Sequence, residues 1–72
     1  MEMATKVKML LAARNMTVAD LADKLEPKTT RQNVNTKLLR NNLSEKDLRQ
    51  IAEACNASFE GTFTLKDTGK EI

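Results

Sequence analysis

Three hydroxyl side chains divide most of this chain into short helices. Thr17, Thr30 and Ser44 each stand just ahead of a run with helical periodicity, where each can accept a hydrogen bond from an orphan N–H of a first turn. Two are answered three residues later by a carboxylate, Asp20 after Thr17 and Asp47 after Ser44, which makes two capping boxes. The residues ahead of them, Met16 and Leu43, can staple to Leu21 and Leu48. Pro27 disfavours helical geometry at Glu26, so the first capped helix is expected to end near Leu25 after about two turns. The second is expected from Arg31 to about Arg40, buried through Val34 and Leu38, and the third is expected to bury Leu48, Ile51, Ala52 and Cys55. Ahead of all three, "MATKVKMLLAARN" places Met3, Val7, Leu10 and Leu11 at helical spacing. It reads as an amphipathic helix to about Asn15, with Lys6, Lys8 and Arg14 on its wet side.

These helices have little with which to staple themselves together. Seventy-two residues lie near the lower limit for a core that needs no disulfide, metal or second copy, and the chain holds one cysteine and no histidine. Neither a disulfide framework nor a His/Cys metal site can be assembled, so no metal or cofactor is expected. Cys55 lies among apolar helix positions and reads as a small buried hydrophobe. The same absences exclude an enzyme: without histidine, tyrosine or a Gly-rich phosphate loop there is no nucleophile and base to pair. The longest apolar run, Met9 to Ala13, is far too short for a bilayer, and the start lacks the layout of a signal peptide, so a cytoplasmic protein is expected.

After Asn56 the period changes. Phe59, Gly61, Phe63 and Leu65 alternate with Glu60, Thr62, Thr64 and Lys66, which reads as one strand, followed by a polar tail loose at its end. No other segment reads as β, so the backbone groups of this strand and its apolar row need a partner. An identical strand from a second copy, antiparallel across a two-fold axis, supplies one; the alternative is that the strand folds back on its own chain through "KDTGKEI". Phe59, Gly61, Phe63 and Leu65 are therefore the expected dimer interface, with Gly61 giving room for close approach. The expected organisation is residues 1–57 as a helical domain and 58–72 as a dimerising strand and tail.

Charge is unevenly spread. From Leu25 to Asn42 there are four basic residues against one acid, whereas from Leu43 to Ile72 there are four against six. Within this basic middle, "TTRQNVNTKLLRNN" (Thr29 to Asn42) has five amides and no carboxylate. On a helical wheel centred between Val34 and Leu38, the side chains of Gln32, Asn33, Thr36 and Arg40 point away from the core. Asn35 and Lys37 lie on the flanks, and Arg31 projects from the first turn. Arginine pairs with guanine, glutamine and asparagine with adenine, and threonine can meet a thymine methyl, so this face suits the major groove of double-stranded DNA. A carboxylate there would be repelled by phosphate. Single-stranded nucleic acid is a poorer fit, because both phenylalanines fall on the apolar side of the strand and leave no stacking platform.

The segments "MTVADLADKL" and "TTRQNVNTKL" together resemble the helix-turn-helix of the Cro and phage-repressor (XRE-type) family, with Thr17, Leu21, Ala22, Leu25, Thr30 and Val34 in its pattern positions. "LSEKDLRQIAEA" resembles the helix that follows, so the likeness spans roughly residues 3–56. The chain departs from the pattern in three places: Glu26 and Pro27 lengthen the turn, Val18 stands where a phosphate-contacting glutamine is usual, and a strand replaces the fifth helix. The resemblance implies a mainly α, compact four-helix helix-turn-helix domain with the strand added for dimerisation. It implies base reading by Arg31, Gln32, Asn35 and Thr36, and phosphate contacts from Lys28, Thr30, Lys37, Arg40, Asn41 and Asn42. The function implied is a small transcriptional regulator, a repressor acting as a homodimer on a palindromic operator with no small-molecule effector. The alternative is a helix-turn-helix module of antitoxin or adaptor type that binds protein without reading DNA.

Overall fold

The structure is a computed structural model and describes residues 3–72. Four helices come first, α1 (Met3–Ala13), α2 (Val18–Lys24), α3 (Arg31–Leu39) and α4 (Glu45–Ala54), followed by β1 (Ala57–Phe59) and β2 (Phe63–Leu65). Each capped start lies where the hydroxyls place it. Thr17 Oγ1 accepts from the Asp20 N–H at 3.1 Å while Asp20 Oδ2 accepts from the Thr17 N–H at 2.9 Å, and Ser44 and Asp47 repeat the exchange at 3.1 Å in both directions. Thr30 accepts from the Asn33 N–H at 3.2 Å.

The helix ends share a device that periodicity does not reveal. Asn15, Asn41 and Asn56 follow α1, α3 and α4 in the left-handed conformation, with φ of 54°, 50° and 53°. Asparagine tolerates this region better than other side-chain-bearing residues. After α3, the Asn41 N–H donates to Leu38 O at 3.1 Å and the Asn42 N–H to Lys37 O at 3.0 Å, the paired bonds of a Schellman ending. After α1, Asn15 and Met16 make the same pair of bonds to Ala12 and Leu11. The helices therefore stop one or two residues short of the ends expected from apolar spacing.

One core joins every element. Val7, Leu10 and Leu11 of α1, Leu21 of α2, Val34 and Leu38 of α3 and Ile51 of α4 are buried in a single cluster with Phe59, Phe63 and Leu65. The core is thus continuous across the expected boundary at residue 57. On the first turn of α1 it is Ala4, rather than Met3, that is fully buried. Cys55 is buried as well, and desolvation pushes its thiol above the ordinary range despite Arg14 nearby, which keeps it a protonated apolar filler. The radius of gyration, 10.9 Å, matches the value of about 11 Å for a compact chain of this length. Among the described residues no helix is long and apolar enough to cross a membrane.

The single strand expected from Phe59 to Lys66 is a hairpin. β1 and β2 pair antiparallel, with Ala57 opposite Leu65, Ser58 opposite Thr64 and Phe59 opposite Phe63, and Glu60, Gly61 and Thr62 form the loop. Gly61 occupies the turn at φ 80°, a conformation glycine adopts without penalty, and is not a point of close approach. A loop of three residues leaves the alternation of inward and outward side chains unbroken, so a hairpin and a continuous strand write the same pattern. Phe59 and Phe63 meet on the inner face with ring centroids 5.0 Å apart and planes tilted by 55°.

The tail is also held. Ile72 exchanges backbone hydrogen bonds with Phe63 at 2.8 and 3.3 Å, and the Leu65 N–H donates to Lys70 O at 2.9 Å, so β2 is paired on both sides within one chain. The backbone of β2, which was expected to call for a second copy, is paired within the chain. Phe59, Phe63 and Leu65 are buried within their own chain and unavailable as a dimer interface unless the core opens.

Arg14 also lies elsewhere than its spacing predicts. It is not on the wet side of α1: its side chain is only 18% exposed and grips the opposite end of the sequence. Nε donates to Cys55 O at 2.8 Å and Nη2 to Asn56 O at 2.8 Å, which satisfies carbonyls at the end of α4. The same guanidinium binds both oxygens of Asp67 at 2.9 Å, tying the turn after β2 to α1. That bidentate bond holds the Asp67 carboxyl below the usual carboxylate range.

Candidate nucleic-acid interface

α2 and α3 are joined by a connector, Leu25 to Thr30, that is folded back by specific bonds. The Thr29 N–H donates to Ala22 O at 3.2 Å, and the amide of Asn33 donates from α3 to Thr29 Oγ1 at 3.1 Å. From the other side Gln50 of α4 reaches Glu26 O at 3.4 Å. Thr30 caps α3 at the same point, so the start of α3 is fixed by four polar contacts. Val34 and Leu38 fix its inner face. What remains outward is set by geometry: Gln32, Asn35, Thr36 and Leu39, spaced by three, four and seven residues, form one exposed stripe along the helix.

Arg31 stands at one end of this stripe and Arg40 at the other, both exposed. Among the described residues, no side-chain hydrogen bond or ion pair holds Arg31, Gln32, Asn35 or Arg40, so their donors face solvent. Thr36 differs: its hydroxyl donates to Gln32 O at 2.9 Å, leaving a methyl group and an acceptor as its outward chemistry. Sequence reasoning passed over Leu39, although the wheel that put Leu38 inside puts its neighbour outside. It is 85% exposed.

The residues expected at phosphates are differently employed. Lys28 lies 3.6 Å from Asp23 in a pair that is about seven-tenths exposed on both sides, an interaction weak enough to be exchanged for another anion. Lys37 bonds Asp47 at 3.0 Å, which fastens α3 to the start of α4. Burial pushes the Asp47 carboxyl up, but the Ser44 N–H and the Lys37 ammonium outweigh it and bring the group below its ordinary value. Asn41 accepts from the Ala4 N–H at 3.3 Å through Oδ1, so it anchors the first turn of α1 while its NH₂ remains a donor. Asn42 is exposed, its backbone N–H closing α3. Thr30 is a cap, its oxygen engaged by Asn33.

The arrangement is an acid-free polar stripe on a rigidly seated helix, with one unpaired arginine at each end. Of the carboxylates around it, Asp23 is loosely paired with Lys28 and Asp47 is held by Lys37. On the opposite flank of α3 the surface dips into an open cleft of about 220 Å³, floored by Leu25, Val34, Leu43 and Ile51. The chain matches no protein-family model, no curated protein and no solved structure.

Proposed function

We propose that α2 and α3 act as a helix-turn-helix and that the protein is a small transcriptional regulator which binds double-stranded DNA sequence-specifically, with α3 in the major groove. The observation that carries this reading is the outward stripe of α3 with its flanking arginines. It offers guanidinium and amide donors held by no protein partner, and it has no carboxylate that phosphate would repel. An amide face left unsatisfied by the fold is suited to edges that present both donors and acceptors. Lys28 stands beside it in a loose, exposed pair with Asp23 that a phosphate can displace, and the Asn41 NH₂ adds a neutral donor at the end of α3.

The hairpin pairs Phe59 to Leu65 within one chain, so the proposal is made chain by chain and does not draw on a strand-exchanged dimer. The test is selection of bound duplexes from a random library, with the salt dependence of binding measured on the selected site. A reproducible consensus is expected, together with a log–log salt slope of about −3 to −4 for three or four neutralised phosphates. A protein that retains no duplex even at low salt is not a DNA-binding regulator, and the interaction-module reading then takes its place.

A further inference from the structure

The most solvent-exposed large hydrophobic side chain among the described residues lies on the proposed reading face. Leu39 is 85% exposed, against 45% for Met9, which lies on the outer side of α1. It contributes nothing to the core, which α3 enters through Val34 and Leu38. Its neighbours along the helix surface are Asn35 and Thr36, one turn back, and Gln32 a further turn back. Because the Thr36 hydroxyl proton is bound to Gln32 O, the Thr36 methyl and the Leu39 isobutyl group make a small apolar step at the end of an otherwise polar stripe. A protein-binding surface is built from a broader contiguous apolar patch, of several hundred Å². Here the apolar spot is one leucine and one methyl, bordered by amides and by Arg40.

In the major groove the thymine C5-methyl is the apolar group presented among the hydrogen-bonding edges. We infer that Leu39 is a specificity-determining residue that reads a thymine by contact with its methyl group, beyond the four base-reading positions that the sequence singles out. The inference rests on the DNA-binding reading above and adds the base that the end of α3 selects. Thr36 packs beside it and restricts the same position against the polar edges of the other bases.

The test follows the selected site base by base. Each thymine of the consensus is replaced by deoxyuridine, which keeps every hydrogen bond and removes the methyl, and binding is measured for the wild type, Leu39→Ala and Leu39→Met. At one thymine position of each half-site or site, the wild type should lose about fourfold on replacement, the effect of one buried methyl group. Leu39→Ala should bind the thymine and uracil sites equally, and Leu39→Met should keep a preference for thymine. Circular dichroism should show both variants folded, since the side chain is outside the core. If the wild type binds DNA but is indifferent to uracil throughout, or Leu39→Ala keeps the full thymine preference, the inference fails and the DNA-binding reading stands. If no duplex is retained at all, both fall.

Discussion

Replacing Phe63 by alanine separates a hairpin closed within one chain from a strand completed by a second copy. The ring is fully buried, packs 5.0 Å from that of Phe59, and is the largest of the fully buried side chains. Truncating such a residue removes its transfer free energy and leaves a cavity, together about 3–5 kcal/mol. A domain of this length has roughly 4–11 kcal/mol of stability in total, from about 0.05–0.15 kcal/mol per residue. The variant should therefore lose from about a quarter to all of its stability, and with a urea slope near 1 kcal/mol per M its midpoint should fall by about 3 M or more. The assay is urea unfolding followed by helical circular dichroism, at two protein concentrations a hundredfold apart. For both proteins the midpoint should be independent of concentration, because folding and hairpin closure are one unimolecular event. A midpoint that rises with protein concentration, or a loss below about 1 kcal/mol with the helices intact, would refute the monomeric hairpin.

Arg31→Ala and Gln32→Ala should each lose about 1–3 kcal/mol against the selected site and little against random duplex, whereas Arg40→Ala should weaken both alike and flatten the salt slope by about one unit. Equal losses on the two kinds of DNA for Arg31→Ala would remove it from the base-reading set. Ser44→Ala, which deletes a cap oxygen 3.1 Å from its N–H, should lower stability by about 1 kcal/mol, while Ser58→Ala, exposed on β1, should leave the thermal midpoint unchanged.

Asp67 is held low by its bond to Arg14, Asp20 by the Thr17 N–H, and Asp47 by the contacts that outweigh its burial. With folded values below the unfolded one, the unfolded chain takes up protons first as acid is added. Stability should be full above the ordinary carboxylate range, about pH 4, and fall as pH drops through the depressed values. Asp67→Asn should make the acid limb shallower, and Arg14→Lys should lower the midpoint even at pH 7, since an ammonium cannot span two carbonyls and a carboxylate as the fork does.

The helix starts and their inward faces were legible in the chain because their causes are local. A cap hydroxyl and its carboxylate lie three residues apart, and an apolar face repeats within a turn, so both can be read without knowing what lies opposite. The polar stripe of α3 was legible for the same reason: Val34 and Leu38 define an inside, and Gln32 and Thr36 follow as outside. The asparagine helix ends were present as a signal and passed over, since asparagine is as common in loops that do nothing. Three features were settled by tertiary structure alone. The partner of the Phe59–Leu65 segment was decided by core closure, because an odd loop preserves the alternation and the sequence pattern is identical for a hairpin and for a strand awaiting a second copy. The role of Arg14 was decided by Asp67 and the end of α4, 41 to 53 residues away, at separations where no spacing rule connects donor to acceptor. Lys37 and Asn41, alike as polar residues at the end of α3, were divided from Arg40 by whether Asp47 and Ala4 happened to fold within reach. Contacts within one helical turn are governed by a backbone geometry that every residue shares, whereas contacts across the chain depend on which of several apolar faces close together, and that choice belongs to the whole core.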